Sequence, residues 1–311
     1  MKGKDLLSIS DLSTETLQVI LDDASEFKAG RPTRLPEGKI LALLFEKPSL
    51  RTRVSFEAAM AGLGGRSLYL SPAEVGLGQR ESVADVARVI SRYVDIVAAR
   101  TFSHKNLEEL AAEASIPVIN ALSDAEHPCQ ALADLLTIRE KTGRLKGIRV
   151  AYIGDGNNVA NSLVLASAMM GMDIVLASPD GYGLREDILA KALDYGSESG
   201  ARVECINDPR QAVSGANVVY TDVWTSMGQE AERKLRQDVF TTYQVNSELL
   251  WDAPENVLVM HPLPAHRGEE ITADVLDGPH SVVFDQAENR MHIARVLLLH
   301  FLGGLEISVS G

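Results

Sequence analysis

Cysteine is nearly missing from this chain, and so are aromatic residues, long apolar runs and any surplus of positive charge. Two cysteines, Cys129 and Cys205, cannot build a disulfide framework, and their spacing fits no CxxC zinc motif. They suit a reducing cytoplasm. No apolar run approaches the roughly 20 residues that cross a bilayer, so no membrane partner is expected. The opening residues, MKGKDLLSISDLSTET, lack the apolar core of a signal peptide and are too acidic for a transit peptide. A cytoplasmic location is the resulting expectation. With 30 basic residues against 43 acidic ones the formal charge is −13, which argues against nucleic-acid binding through a basic face. Any anionic ligand must be met by a local positive site working against the field of the whole chain.

What the chain does have is alternation. Short β-rich runs at 39–45, 67–70, 96–99 and 118–120 are separated by helical patterns at 53–63, 83–93 and 107–114. The pattern restarts with strands at 149–155, 173–179, 201–206, 217–223 and 256–264, and helices at 162–170 and 188–195. Such βαβα alternation predicts an α/β protein of two domains, each a parallel sheet flanked by helices. The polar, Gly-punctuated KTGRLKG marks the boundary, giving domains 1–143 and 144–311. The last helix, about 290–302, is expected to dock back, on the first domain.

Ligands of open parallel sheets bind beyond the carboxyl ends of strands, and four chemically loaded stretches fall there. SLRTR follows strand 39–45 at a helix start. Its free backbone N–H groups, the Ser49 and Thr52 hydroxyls and the Arg51 guanidinium suit an oxyanion such as phosphate. A solvated surface turn is the competing reading. Arg51 and Arg53 lie about 200° apart on a helix, so Arg51 is assigned to the ligand and Arg53 to a structural ion pair. HPCQ places His127 and Gln130 at another helix mouth, with Pro128 in the first turn. There they could polarise a carbonyl and hold an NH₂ group, or simply cap the helix. Cys129 beside His127 is no nucleophilic pair, because adjacent helical residues face apart. GDGNNVANS breaks the dinucleotide fingerprint at Val159, which leaves a nucleotide-dependent dehydrogenase remote. Asn157 and Asn158 then divide the work, one holding the turn and one facing a polar ligand. Finally, Asp222 and Ser226–Met227 end one strand, and HPLPAHRGEE ends another. His261, His266, Glu269 and Glu270 match no zinc signature, so no metal is expected and the glutamates read as solvated. The Leu263 carbonyl, fixed between Pro262 and Pro264, can accept a hydrogen bond.

Taken in order, SLRTR, Arg100 of AAR, HPCQ, GDGNN, DVWTSMG, HPLP and ENR resemble the aspartate/ornithine carbamoyltransferase superfamily, most closely its ornithine-specific branch. The resemblance covers nearly the whole chain. It implies transfer of the carbamoyl group of carbamoyl phosphate to the δ-amino group of L-ornithine, without metal or organic cofactor. It implies that Ser49, Leu50, Arg51, Thr52, Arg100, His127, Pro128, Cys129, Gln130, Pro262, Leu263 and Arg290 bind carbamoyl phosphate. Asn158, Asp222, Ser226 and Met227 correspond to the ornithine contacts. Arg51, Arg100, His127 and Asp222 would carry the catalysis. Homotrimers, or multiples of them, are implied as well, with the loop GLGQRES reaching toward a neighbouring subunit.

Two departures stand out. HPLP replaces the usual HCLP, so Pro262 stands where a cysteine would meet the amine; aspartate, putrescine or an ornithine derivative stays open as acceptor. DVWTSMG argues for ornithine among these. Gly76 falls where relatives carry a phosphate-binding glutamine, and Gln79 or Arg80 could substitute. A binding protein that keeps the fold but has lost turnover is the non-enzymatic alternative.

Overall fold

The run ILALLF forms strand β1 (Ile40–Phe45), buried at every position but the first. A strand apolar at consecutive positions must be covered on both faces, as happens in a parallel sheet between helices. The computed structural model, which describes residues 4–78, 80–226 and 228–303, contains two such sheets, one in each of two units. The first unit comprises Met1–Leu136 and Glu288–Gly311; the second comprises Thr137–Ala287. The turn 141–147 lies inside the second unit, because helix α5 (Pro128–Thr142) runs through the dividing point.

In the first unit β2 (Arg66–Leu70), β1, β3 (Ile96–Arg100) and β4 (Val118–Leu122) lie side by side in that order, all parallel. Helices α2 (Leu50–Gly62), α3 (Val83–Ile90) and α4 (His104–Glu113) alternate with the strands. Ala42, Leu44, Val97 and Ala99 of the sheet pack with Val86, Ala87, Leu107 and Leu110 of the helices. The edge strand β2 is half-exposed, whereas β1 beside it is not. Helix α1 (Thr14–Lys28), absent from the sequence reading, is capped by the Ser13 hydroxyl and buries Leu17, Ile20, Leu21, Ala24 and Phe27 at helical spacing. The final helix, α9 (Val283–Leu302), begins ahead of its expected start. Its Asn289 and His300 meet Lys28 and Asp23 of α1, both at 2.8 Å.

The second unit has the order β7 (Val203–Ile206), β6 (Asp173–Ala177), β5 (Arg149–Ile153), β8 (Val218–Thr221), β9 (Leu258–Met260), again wholly parallel. Helices α6 (Asn158–Met169), α7 (Glu186–Ser199) and α8 (Arg233–Phe240) accompany it. Tyr152 and Tyr220, on adjacent strands, stack at 5.5 Å between ring centres. In each sheet strand order reverses direction at one place: between β1 and β3, and between β5 and β8. Connections leaving such neighbours part to opposite sides and open a crevice at the carboxyl edge.

Candidate active site

The first unit gathers cations at its crevice. Ser49 is the N-cap of α2, its hydroxyl accepting the Thr52 N–H at 3.3 Å. This makes Leu50, Arg51 and Thr52 the first helical turn, earlier than the sequence pattern suggested. The Leu50 and Arg51 amides then belong to the N–H groups that a helix leaves without intrahelical acceptors. Arg100 is the last residue of β3, in register with Phe45 of β1. His127 precedes Pro128, the first residue of α5. From α9, Arg290 donates to the Gln130 side-chain oxygen and, at 3.2 Å, to the Thr52 hydroxyl. Gln130 in turn donates to Asp134 at 2.8 Å.

Electrostatics in this cluster are self-opposed. Burial, then the charge of Arg290, pushes the Arg51 pKa down. Arg100 is brought to about 10 by burial, Arg290 and Arg51, so it remains charged at neutral pH. Burial, followed by Arg290 and Arg100, holds His127 well below the ordinary histidine value, which makes it a neutral imidazole. Cys129 is the inert member. Its buried thiol donates to the Asn120 carbonyl at 3.4 Å, and its pKa is pushed up to about 12. Arg53 turns away to Glu57, 3.1 Å distant, with its guanidinium 3.9 Å from the centre of the Tyr69 ring.

The second unit builds an acidic crevice from the turns after β5, β8 and β9. Gly156 of GDGNN is there because a Cβ would lie 2.3 Å from the Gly183 carbonyl oxygen; its role is close packing. Asp155 faces Arg236 at 2.8 Å, yet burial lifts its pKa to about 6. The Asn157 side-chain oxygen caps α6 at Val159 and Ala160, and its amide donates to Asp222 at 2.8 Å. Asn158 is the first residue of α6 and half-buried. Burial raises the Asp222 pKa, opposed by His261, Asn157 and the Val223 N–H, while Glu270 adds to the rise. Ser226 is half-buried, its N–H donating to Gln229 at 3.1 Å. Met227 and Gln79 lie outside the described residues.

Beyond β9, His261 is fully buried. Its Nδ1 accepts the Leu263 N–H at 2.9 Å, which leaves the ring proton on Nε2, donated to Glu270 at 3.0 Å. Leu263 has φ +54°, an unfavourable value for a leucine, and its N–H bond to His261 fixes it there. Glu270, read from sequence as solvated, is completely buried. Among the described residues His266, Glu269 and Glu270 bring ligand atoms within 4.8 Å of one another. Those carboxylates are already engaged, Glu269 by Arg233 and Glu270 by His261 and the His266 N–H.

Comparison with known proteins also divides the chain in two, with the second family model running on through 288–301, which the structure groups with the first unit. The carbamoyl-P binding domain of aspartate/ornithine carbamoyltransferases matches residues 4–140, and the Asp/Orn binding domain of that family matches residues 146–301. The chain is 52% identical over 310 residues to the ornithine carbamoyltransferase of Pyrococcus horikoshii, covering 98% of both proteins. With the Bacillus subtilis ornithine carbamoyltransferase it shares 54% identity over 296 residues, 95% of this chain and 93% of that one. Among solved structures, ornithine carbamoyltransferase from Pyrococcus furiosus superimposes with a TM-score of 0.95 at 52% identity, covering 98% of this chain and 99% of the other.

Proposed function

Because the chain belongs to the aspartate/ornithine carbamoyltransferase family, we infer that it transfers the carbamoyl group of carbamoyl phosphate to the δ-amino nitrogen of L-ornithine, giving L-citrulline and phosphate. The observation that carries the donor assignment is the mutual repulsion of Arg51, Arg100 and Arg290 around a neutral His127. A dianionic phosphate relieves that repulsion. In this reading Ser49, Leu50, Arg51 and Thr52 hold the phosphate, with Arg51 stabilising it as it leaves. Arg100, the Thr52 hydroxyl and His127 face the carbamoyl oxygen, where negative charge develops as the amine adds. Gln130, oriented by Arg290 and Asp134, addresses the carbamoyl NH₂.

The acceptor belongs to the second unit. Asp222 binds an amino group of ornithine, and the strained Leu263 offers its backbone carbonyl to one. Asn158, Ser226 and Met227 contact the amino-acid head. The attacking nitrogen must be neutral, and its surplus proton leaves with the tetrahedral intermediate's collapse to phosphate. Pro262 has neither thiol nor N–H, so it cannot help remove that proton. We assign this chain to a homotrimer in the cytoplasm. Exposed Leu50 and Val54, one turn apart on α2, support an apolar subunit contact. Light scattering tests the trimer.

The deciding experiment is an acceptor panel: citrulline formation measured against carbamoyl-aspartate and carbamoyl-putrescine formation at matched concentrations. Turnover with ornithine is expected. Turnover with aspartate or putrescine but not ornithine would refute the acceptor assignment.

A further inference from the structure

Two consecutive residues of the turn after β1, Glu46 and Lys47, have no part in the site as assigned above. The Glu46 N–H donates to the Arg100 carbonyl at 2.8 Å, and its carboxylate accepts the Phe102 N–H, also at 2.8 Å. Lys47 is 7% exposed, and its ammonium stands 4.6 Å from the centre of the Phe102 ring. Three contacts therefore tie the turn that leads into Ser49–Thr52 to the segment just past Arg100. An ammonium withdrawn from water needs compensation, and a ring face supplies part of it. The two turns also need a tie: each delivers a guanidinium to one crevice, and Arg51 and Arg290 both push against Arg100.

We propose that Lys47 is a positioning residue whose contact with the Phe102 ring holds Arg100 at its working distance from Arg51 and so sets the affinity for the donor's phosphate. This rests on the assignment of the cationic crevice to carbamoyl phosphate. The ring, and not the lysine charge alone, is what the proposal requires. Were Lys47 instead a further cation acting on the ligand, Phe102 would be dispensable.

The experiment compares Lys47→Met, Phe102→Leu, the double variant, Lys47→Arg and Phe102→Tyr by steady-state kinetics. Carbamoyl phosphate is varied at saturating ornithine, and the reverse. Lys47→Met and Phe102→Leu are each expected to raise KM for carbamoyl phosphate about tenfold, with kcat held within about a factor of two. KM for ornithine should stay unchanged. The double variant should be no worse than either single one, and the Arg and Tyr variants should recover the parent KM. A silent Phe102→Leu beside an impaired Lys47→Met overturns the inference, as do additive effects in the double variant. Equal losses in kcat and both KM values, with a lowered Tm, overturn it too by making the contact merely structural. A parent enzyme unaffected by Arg51→Met would defeat the crevice assignment instead, which keeps the two failures apart.

Discussion

The two sheets of this protein put their candidate sites at equivalent places and fill them with opposite charge. In the first unit the turns after β1 and β3 bring guanidinium groups together until they repel. In the second the turns after β5 and β8 surround one carboxylate, Asp222, with an asparagine amide, a backbone N–H and, from the turn after β9, an imidazole. Topology supplies the crevice in both cases, and the side chains alone decide what enters it. One site sets like charges against each other. The other is already hydrogen-bonded and asks a cationic group to join.

The largest expected effects should therefore separate by unit. On the proposed assignment Arg100→Met removes a donor to developing negative charge and is expected to lower kcat by about 10²–10³. Asp222→Asn keeps its bond to Asn157 through its own side-chain oxygen, but loses the carboxylate proposed to hold the amine. It should raise KM for ornithine strongly while leaving carbamoyl phosphate KM near the parent value. Steady-state kinetics with each substrate varied checks both. Should Asp222→Asn weaken the donor as much as the acceptor, the division of labour fails.

Next comes the frustration itself, which thermal melting can read. Inorganic phosphate at about 100 times its Kd should stabilise the parent by about 2.7 kcal/mol. Arg51→Met should lose most of that protection and yet melt above the unliganded parent, because one repelling charge has gone. A variant that melts lower without ligand would mean the cations are not strained against each other.

How much of this could be read from sequence depends on whether the signal is local. Alternating strands and helices, and the chemistry at strand ends, were legible because period and punctuation are properties of short segments. Boundaries slipped where first helical turns look like loops: α2 starts at Leu50, and α9 at Val283. Glu269 and Glu270 are neighbours of one type, and only the fold sends the second inward to His261 while the first meets Arg233. Asp155 and Arg236 pair across 81 residues, so nothing near GDGNN announces that its acid is structural. Lys47 gives no sequence sign of its burial.

The pH dependence of stability should also carry opposite signs in the two units. His127 has a folded pKa well below its ordinary 6.5, so the unfolded chain takes up the proton first as pH falls. Its contribution is present above about pH 6.5 and is lost below it, at up to about 1.4 kcal/mol per pH unit. Asp222 behaves inversely. Its folded pKa is raised above 3.8, so its contribution is complete below that value and is lost as pH rises through the folded pKa. Denaturant midpoints between pH 4 and 7 should fall less steeply toward acid for His127→Asn than for the parent, and more steeply for Asp222→Asn. Slopes changing in the same direction would refute the opposition.

The smallest effect is the most local test, because it sets two arginines of one helix against each other. Arg51 and Arg53 share a sequence motif, a helix and a charge, yet they point to different partners, and Arg290 lowers the pKa of Arg51. Arg53 lies over Tyr69 and pairs with Glu57 while both partners keep over a third of their side-chain surface in water. Solvent screening limits such a pair to well under 1 kcal/mol, and a partly exposed ring contact adds about 0.5–1 kcal/mol. Arg53→Ala should therefore lower stability by no more than about 1 kcal/mol and leave kcat/KM for carbamoyl phosphate within about twofold. Arg51→Met, two residues earlier, should be far worse for activity and better for unliganded stability. A hundredfold fall in kcat/KM for Arg53→Ala would place both guanidinium groups on the ligand, and the claim that helical geometry lets only one reach it would be lost.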